Sequence, residues 1–306
     1  MSELHPISRK LYIWINQLLY LGTDPAPHRE HAVVSDKLII CLQGNLKVLL
    51  EDGNTLATKS CLVKAGSSFD KAHIDTNGSV IAIYYLAPLT QDYFALKNTM
   101  SYARDCVHAG HPDEAALIET LLHIRKTSPS PEQAFSMLRR FIIQPHLEHH
   151  RFQEFDQRII EVVQKVRSTV RKNLTVKNFA DEVCLSPSRL EKLFKEQMGI
   201  PITKYRLRYR VFIGIIHLAT GHSITDAALA AGFSSSSHFS KSFSAINGIP
   251  PSATFLKPPY LSILIADAVL NAQSKPPGSG ITAAIKTHPQ RIQLGEYDEY
   301  FQTSNA

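Results

Sequence analysis

One internal repeat constrains the fold of this chain more than any other feature of its sequence. Residues 186–203 and 235–252 match at an offset of 49, with a serine, an apolar residue, a lysine and a phenylalanine at equivalent places and Gly-Ile-Pro near the end. The preceding segments, 180–186 and 228–234, match at an offset of 48. In each copy, apolar residues recur at helical spacing on both sides of a short turn. The repeat therefore predicts two helix–turn–helix units in tandem.

Capping and turn residues mark the ends of these predicted helices. Thr175 and Ser223 are typical N-cap residues, and Ser186 precedes a proline at the first helical position, where the missing N–H costs nothing. Gly232 suits a turn that needs a positive φ. Cys184 takes the matching place in the first copy. If Cys184 adopts a left-handed conformation, its Cβ costs roughly 1 kcal/mol.

One long helix is predicted between the two units, from about residue 202 to residue 220. At about 1.5 Å per residue it spans about 28 Å, and one turn of B-DNA measures about 34 Å. Two second helices held that far apart could enter successive major grooves on one face of a duplex. Arg206, Arg208 and Arg210 lie on this helix, and their alternating spacing means that not all three can face phosphate.

The excess positive charge falls in the same stretch. Residues 156–257 carry 15 Lys/Arg against 7 Asp/Glu, whereas residues 1–155 carry 15 against 16 and residues 258–306 carry 3 against 4. A basic domain joined to a neutral one favours a polyanionic partner, and a solvated basic surface is the alternative.

Residues 31–87 have the composition of a β domain. Short apolar runs at 37–43, 46–50, 60–64 and 79–86 are separated by turn residues such as Asp-Gly. This pattern predicts a small antiparallel sandwich or barrel.

Helices are expected on both sides of the β-rich part and near the end of the chain. Apolar residues at helical spacing predict helices over 11–21, 113–126, 132–143 and 261–270. The polar, histidine-rich segment 145–155 is interpreted as a linker, and about the last 30 residues are expected to be loosely ordered.

The cellular compartment follows from two further features. The apolar run at 11–21 is shorter than the roughly 20 residues that span a bilayer. Four scattered cysteines without a CxxC pair fit a reducing compartment. We therefore expect a cytoplasmic, nucleoid-associated protein with no membrane partner.

About 100 residues, 156–257, resemble the AraC/XylS family of bacterial transcription regulators. The motifs that carry the resemblance are Ala180-x3-Cys184-x-Ser186-x3-Leu190-x3-Phe194, ITDAALAAGF at 224–233, SHFSKSF at 237–243 and GIPPS at 248–252. The β-rich part is similar to the cupin-like sensor domain that many members carry. The resemblance departs from the family at Cys184, where glycine is usual, in the run of four serines at 234–237, and in the long tail.

The resemblance implies an α+β multidomain chain with four parts. These are a cupin-like, effector-sensing antiparallel β-barrel with flanking helices (1–112), a helical dimerisation segment and linker (113–155), an all-α DNA-binding domain with two helix–turn–helix motifs joined by a long helix (156–257), and a partly disordered tail (258–306). It also implies a homodimer that binds double-stranded promoter DNA and contacts RNA polymerase.

By motif position, the two second helices would present polar side chains to DNA. The expected contacts are Ser188, Arg189, Glu191 and Lys192 from the first, Ser236, Ser237, Ser240 and Lys241 from the second, and Lys195 and Lys204 for phosphate. Lys192 and Lys241 share one position in the two copies. The apolar positions between them are expected to be core: Leu190, Leu193, Phe194, Phe233, Phe239 and Phe243.

A small molecule sensed in the N-terminal domain is expected to modulate DNA binding. Candidate pocket residues are Trp14, His28, Arg29, His73 and Tyr84, each of which fits core or rim equally well. His146, His149 and His150 lie in the linker and are interpreted as solvated. We expect no metal, no cofactor and no catalytic residues.

The sequence thus predicts a sequence-specific transcription regulator and not an enzyme. The family resemblance implies that the regulator is an activator. Two alternatives remain. A metal-dependent cupin enzyme with a DNA-binding appendage would need a set such as H-x-H-x4-E, but His28 and His31 are three apart and Lys37 stands where the carboxylate should be. A general DNA-coating protein would bind all sequences with uniform affinity.

Overall fold

The structure is a computed structural model, and it describes residues 9–23, 34–50, 52–67, 74–76, 78–104, 107–142, 154–257 and 261–273. An N-terminal β domain with three helices is followed by an all-helical domain, as predicted. Among the described residues, no helix is long and apolar enough to cross a membrane.

Two sheets form the N-terminal domain. The larger has eight strands in the order β11-β1-β2-β8-β3-β6-β10-β9, and the smaller has three in the order β5-β4-β7. All pairings are antiparallel except that of β1 with β11. The strands are β1 Arg9–Trp14, β2 Gln17–Thr23, β3 Lys37–Gln43, β4 Leu46–Leu49, β5 Thr55–Thr58, β6 Ser60–Val63, β7 Ile74–Asp75, β8 Val80–Tyr85, β9 Tyr102–Arg104, β10 Val107–Ala109 and β11 Leu261–Ile265.

The large sheet is open and is not the closed barrel that was expected. Its two end strands, β9 and β11, do not pair with each other. The predicted strands are present, including the hairpin of β4 and β5 around Asp52-Gly53.

The helix predicted over 11–21 is wrong, because this segment forms the hairpin of β1 and β2. Trp14 pairs with Gln17, which leaves a two-residue turn in which Asn16 has a φ of 61°. Every residue of β1 is buried, so the strand has no alternation of apolar and polar positions. A continuous apolar run cannot be distinguished from a buried helix by periodicity alone.

Three helices accompany the sheets: α1 Asp92–Thr99, α2 Glu114–Thr127 and α3 Pro131–Ile142. The last two confirm the helices predicted over 113–126 and 132–143. Trp14 lies beneath α3, where its indole Nε1 donates to the Pro131 carbonyl at 2.8 Å and its ring packs against Phe135.

The C-terminal domain has seven helices, and the tail adds an eighth. They are α4 Gln157–Ser168, α5 Val176–Glu182, α6 Pro187–Met198, α7 Ile202–Ala219, α8 Ile224–Ala230, α9 Ser236–Asn247, α10 Pro251–Phe255 and α11 Asp267–Gln273. The offset between α6 and α9 is 49 residues and that between α5 and α8 is 48, so the repeat in the sequence is a repeat in the structure.

The helix predicted over 261–270 is also wrong in its first half. Residues 261–265 form β11, which lies parallel to β1, and α11 begins only at Asp267. This segment forms a strand because Leu-Ser-Ile-Leu-Ile pairs with the edge strand of an existing sheet. The local sequence pattern does not reveal that pairing partner. Residues 274–306 lie outside the described part of the chain, and so does most of the predicted linker.

The two domains touch through backbone as well as side chains. Gly66, in a loop of the N-terminal domain, faces Gly199, at the end of α6, so closely that a Cβ on Gly66 would lie 1.8 Å from the Gly199 carbonyl oxygen. Arg208 on α7 donates to the Ser35 hydroxyl. Val34 and Ala65 join the apolar cluster formed by α4, α5 and α6.

Gly66→Ala tests this contact. The new methyl group would collide with backbone at Gly199, so we expect amide exchange over residues 199–208 to rise at least threefold. Gly53→Ala is the matched control, since Gly53 has nearly the same φ, 84° against 81°, but its Cβ would meet nothing within 4 Å. Equal exchange in the two variants, measured by hydrogen–deuterium exchange, would contradict the contact.

Candidate nucleic-acid interface

Two structurally equivalent helix–turn–helix units are built from α5 with α6 and from α8 with α9. The second helix of each begins at a serine whose hydroxyl accepts from the backbone N–H three residues on. Ser186 accepts from Arg189 at 3.3 Å and Ser235 from His238 at 3.1 Å. The first helices are capped in the same way by Thr175 and Ser223, as predicted. Such caps fix where each helix starts and therefore which side chains occupy its first turn.

The two turns differ in how much room they have. Cys184 has a φ of 53° and Gly232 a φ of 80°, so both occupy the left-handed region. A Cβ on Gly232 would lie 2.7 Å from the Val170 carbonyl oxygen and 2.9 Å from Cα of Arg171. Cys184 is exposed. The first turn therefore tolerates a side chain, at the cost of backbone strain, whereas the second does not.

The second helices α6 and α9 turn a polar side to solvent and an apolar side inward. Leu190, Leu193 and Phe194 are buried in the first unit, and Phe233, Phe239 and Phe243 in the second, which confirms the predicted core. On the polar side the structure places Ser188, Arg189, Glu191, Lys192, Lys195, Ser237 and Lys241 as exposed residues, and Ser236 and Ser240 as half-buried ones. Lys204 is exposed near the start of α7.

Few internal contacts occupy the lysines on this surface. Lys192 lies 3.9 Å from Glu196, one helical turn away, and both side chains are more than half exposed. Exposed pairs of this kind contribute about 0.3–0.5 kcal/mol, so the contact is easily exchanged for another partner. Within the described part of the chain, Lys195, Lys204 and Lys241 form no ion pair.

The arginines of the domain have a different role. Arg206 donates to the Leu174 carbonyl at 2.5 Å and Arg210 to the Val170 carbonyl at 3.0 Å, so both hold the loop between α4 and α5. Burial lowers the pKa of each guanidinium from its ordinary value. Arg208 donates to Ser35 of the N-terminal domain, so all three arginines of α7 form contacts within the protein. The sequence pattern indicated only that not all of them face phosphate.

His238 was not among the predicted contacts, although it is exposed on α9 beside Ser237. Its ring lies edge-on to Phe233, with centroids 5.2 Å apart, which restricts its orientation. The repeat offers the missing signal, because His238 is equivalent to Arg189 at the offset of 49.

Two of the candidate effector residues lie in the core of the N-terminal domain, and the other three lie outside the described residues. Trp14 and Tyr84 are each 2% exposed and contact each other within the sheet core. The Tyr84 hydroxyl donates to Gln17 at 3.1 Å, so its polar atom has a partner within the protein. His28, Arg29 and His73 lie outside the described residues, as do the linker histidines.

A family model described as "Helix-turn-helix domain" matches residues 179–257. The arabinose operon regulatory protein of Escherichia coli K12 is 32% identical over 99 residues, which is 32% of this chain and 34% of that protein. The C-terminal domain is an AraC-type helix–turn–helix domain. The resemblance drawn from its motifs is thereby confirmed.

A second relative of the AraC-type domain is the HTH-type transcriptional regulator ArgR of Pseudomonas aeruginosa. It is 28% identical over 95 residues, which is 31% of this chain and 29% of that protein. The chain thus spans about a third of the length of the curated relatives that it matches.

The two-domain arrangement has a structural counterpart that covers most of the chain. Apo ToxT of Vibrio cholerae strain SCE256, solved as a single-residue variant, covers 78% of this chain and 96% of its own, with a TM-score of 0.53 and 15% identity. At this identity the likeness shows the fold alone, namely an N-terminal β domain that precedes a helical domain.

Cys184→Gly tests the strain in the first turn. Removing the Cβ from a left-handed residue should stabilise the domain by about 1 kcal/mol, which for a chain of this size raises the melting temperature by about 2–4 °C. Cys184→Ala, which keeps the Cβ and removes the thiol, should give no such gain. If the two variants shift the thermal unfolding midpoint equally, the turn is not strained.

Proposed function

We propose that the chain is a sequence-specific, DNA-binding transcription regulator that acts on nucleoid DNA in the cytoplasm. The observation that carries the proposal is the pair of capped second helices, α6 and α9, on the two sides of α7. Eighteen residues of α7 extend over about 27 Å, which approaches the repeat of B-DNA. Exposed cations, namely Arg189, Lys192 and Lys195 on α6 and Lys241 on α9, fit a polyanionic partner.

Affinity and specificity are assigned to different side chains. Lys195 and Lys204, with the other exposed lysines, are proposed to contact phosphate, which gives affinity that falls steeply with salt. Lys192 and Lys241 are proposed to reach base edges, together with Ser188, Arg189, Glu191, Ser236, Ser237 and Ser240. A lysine suits guanine O6 and N7, and a glutamate accepts from the cytosine amine.

Effector control is proposed to act through the contact between the domains. A cleft there is lined by Ser35 and Asp36 of the N-terminal domain and by Met198, Tyr205 and Arg208 of the C-terminal domain. Its free volume of about 30 Å³ has room for only a few water molecules. A small-molecule effector bound there would have to separate the two walls, and its binding energy would shift the population of docked domains.

Closing the cleft desolvates its two opposite charges, since burial raises the pKa of the Asp36 carboxyl and lowers the pKa of the Arg208 guanidinium. The Ala65 N–H and the cations Arg208 and Lys64 offset only part of the upward shift of the Asp36 pKa. A buried arginine left without its partners is costly, so the ligand that opens the cleft must replace those contacts. Because the effector would bind where the two domains meet, it would act on the DNA-binding domain directly.

Homodimerisation and contact with RNA polymerase remain proposals that rest on the AraC-type domain. The outward side of α2 carries half-buried Ile118 and Leu122 beside exposed Ala115 and Ala116, which suits a second copy of the helix. Paired sites on DNA would then be read by two chains.

Two lysine variants test the proposal. Lys192→Ala and Lys241→Ala should each weaken binding to the specific site by about 1–3 kcal/mol and relax the preference at one base pair. Lys97→Ala is the matched control, because Lys97 is an exposed lysine of helix α1 in the N-terminal domain, away from both proposed surfaces.

Fluorescence anisotropy on the selected site and on scrambled DNA separates the outcomes. A loss confined to the selected site identifies a base contact. An equal loss on every sequence, with a salt slope reduced by about 1, identifies a phosphate contact and favours the DNA-coating alternative. No loss in either variant would contradict the assigned surface.

A further inference from the structure

The segment after the DNA-binding domain returns to the N-terminal sheet. Strand β11 pairs with β1 over five residues, from Arg9 with Leu261 to Ile13 with Ile265. The chain continues into α11, where the Ala266 N–H donates to the Ile13 carbonyl at 3.0 Å and Val269 is 3% exposed. The N-terminal domain therefore includes residues from both ends of the described chain, and the DNA-binding domain is inserted between them.

The same strand, β1, also holds the end of the DNA-binding domain. The Arg9 guanidinium donates to the Thr254 carbonyl at 3.4 Å and to the Lys257 carbonyl at 3.3 Å. These are the last carbonyls of α10 and its C-terminal turn, which have no helical donor of their own. One strand thus anchors both the second helix–turn–helix unit and the segment that follows it.

The two connections to the DNA-binding domain differ in reach. From Lys257 to Leu261 the chain crosses four peptide units, which extend over at most about 14 Å. From Ile142 to Glu154 it crosses twelve, which extend over about 40 Å. While β11 stays on β1, the end of the second unit can move no more than about 14 Å from the sheet, whereas the longer connection allows the domain much more movement.

We propose that residues 261–273 are a clasp that locks the DNA-binding domain onto the N-terminal sheet, and that the domains separate only when this clasp is released from β1. The clasp suits release, because β11 is an end strand of five pairs whose residues are partly exposed. Such edges open locally without global unfolding. The first helix–turn–helix unit has an apolar core to which the N-terminal domain adds only Val34 and Ala65, whereas the core residues of the second unit share one cluster with β1 and α11.

Three chain lengths test the clasp by hydrogen–deuterium exchange. The variants are the full chain, a chain that stops after Gln273 and a chain that stops after Lys257. The chain that stops after Gln273 keeps the clasp and should match the full chain. The chain that stops after Lys257 should exchange at least tenfold faster over residues 9–14 and also over residues 199–208, which lie at least 185 residues away in sequence.

Unchanged exchange over 199–208 in the shortest chain would overturn the lock. It would show that Gly199 and Arg208 stay in contact with the N-terminal domain after β11 has been removed. Unchanged exchange over 9–14 would overturn the pairing of β11 with β1.

A second variant guards against misfolding of the shortest chain. A protease site placed between Lys257 and Leu261 allows the connection to be cut after folding. Residues 9–14 should then stay protected, because β11 remains bound, whereas exchange over 199–208 should rise at least fivefold. A cut chain that keeps the protection of 199–208 would show that the connection does not lock the domains.

Discussion

Helix α7 holds the two helix–turn–helix units at a fixed separation, because its buried side contacts both. Near its start, Tyr205 packs edge-on against Phe194 of the first unit, with ring centroids 5.7 Å apart. One turn beyond its middle, Gly214 leaves room for the Phe239 ring of the second unit, whose nearest atom would lie 2.4 Å from a Cβ at that position. A shift in the length or direction of α7 would move both second helices relative to any DNA that they bind.

Positive charge is divided between the inside and the outside of the C-terminal domain. The planar guanidinium groups stay charged when buried and satisfy several carbonyls at once, so the arginines of α7 hold loops and the neighbouring domain. Arg167 of α4 follows the same rule, with its Nε donating to the Tyr205 hydroxyl at 3.0 Å. The lysines, which are strongly hydrated point charges, remain at the surface. The net charge of the domain therefore overstates the number of cations that can reach phosphate.

Local chemistry made the C-terminal domain predictable. Helix caps, turn residues and a repeated apolar spacing all agree there, so the helices of both units and their ends could be predicted from the sequence. The left-handed conformation of Cys184, which the sequence raised only as a condition, is present in the structure. The exposed side of α6 and α9 followed from the same spacing. His238 could have been predicted as a DNA contact only by comparing the two copies, in which it is equivalent to Arg189.

The features that could not be predicted from the sequence depend on contacts between residues that are distant along the chain. Strand β1 is buried on both faces, and β11 becomes a strand only because β1 offers it an edge more than 240 residues away in sequence. The roles of Arg206, Arg208 and Arg210 depend equally on loops and a domain that the helix itself does not specify. For Trp14 and Tyr84 the sequence left pocket, core and rim open, and in the structure both are core residues whose polar atoms have partners within the protein.

Footprinting of the full chain on fragmented genomic DNA, at two salt concentrations, tests the central claim most directly. Two helix–turn–helix units fixed by α7 should protect two patches about 10 base pairs apart on one face of the duplex. The fragments retained at the higher salt should share a sequence. A single protected patch, or uniform protection that disappears with salt without any preferred fragment, would contradict tandem sequence-specific recognition.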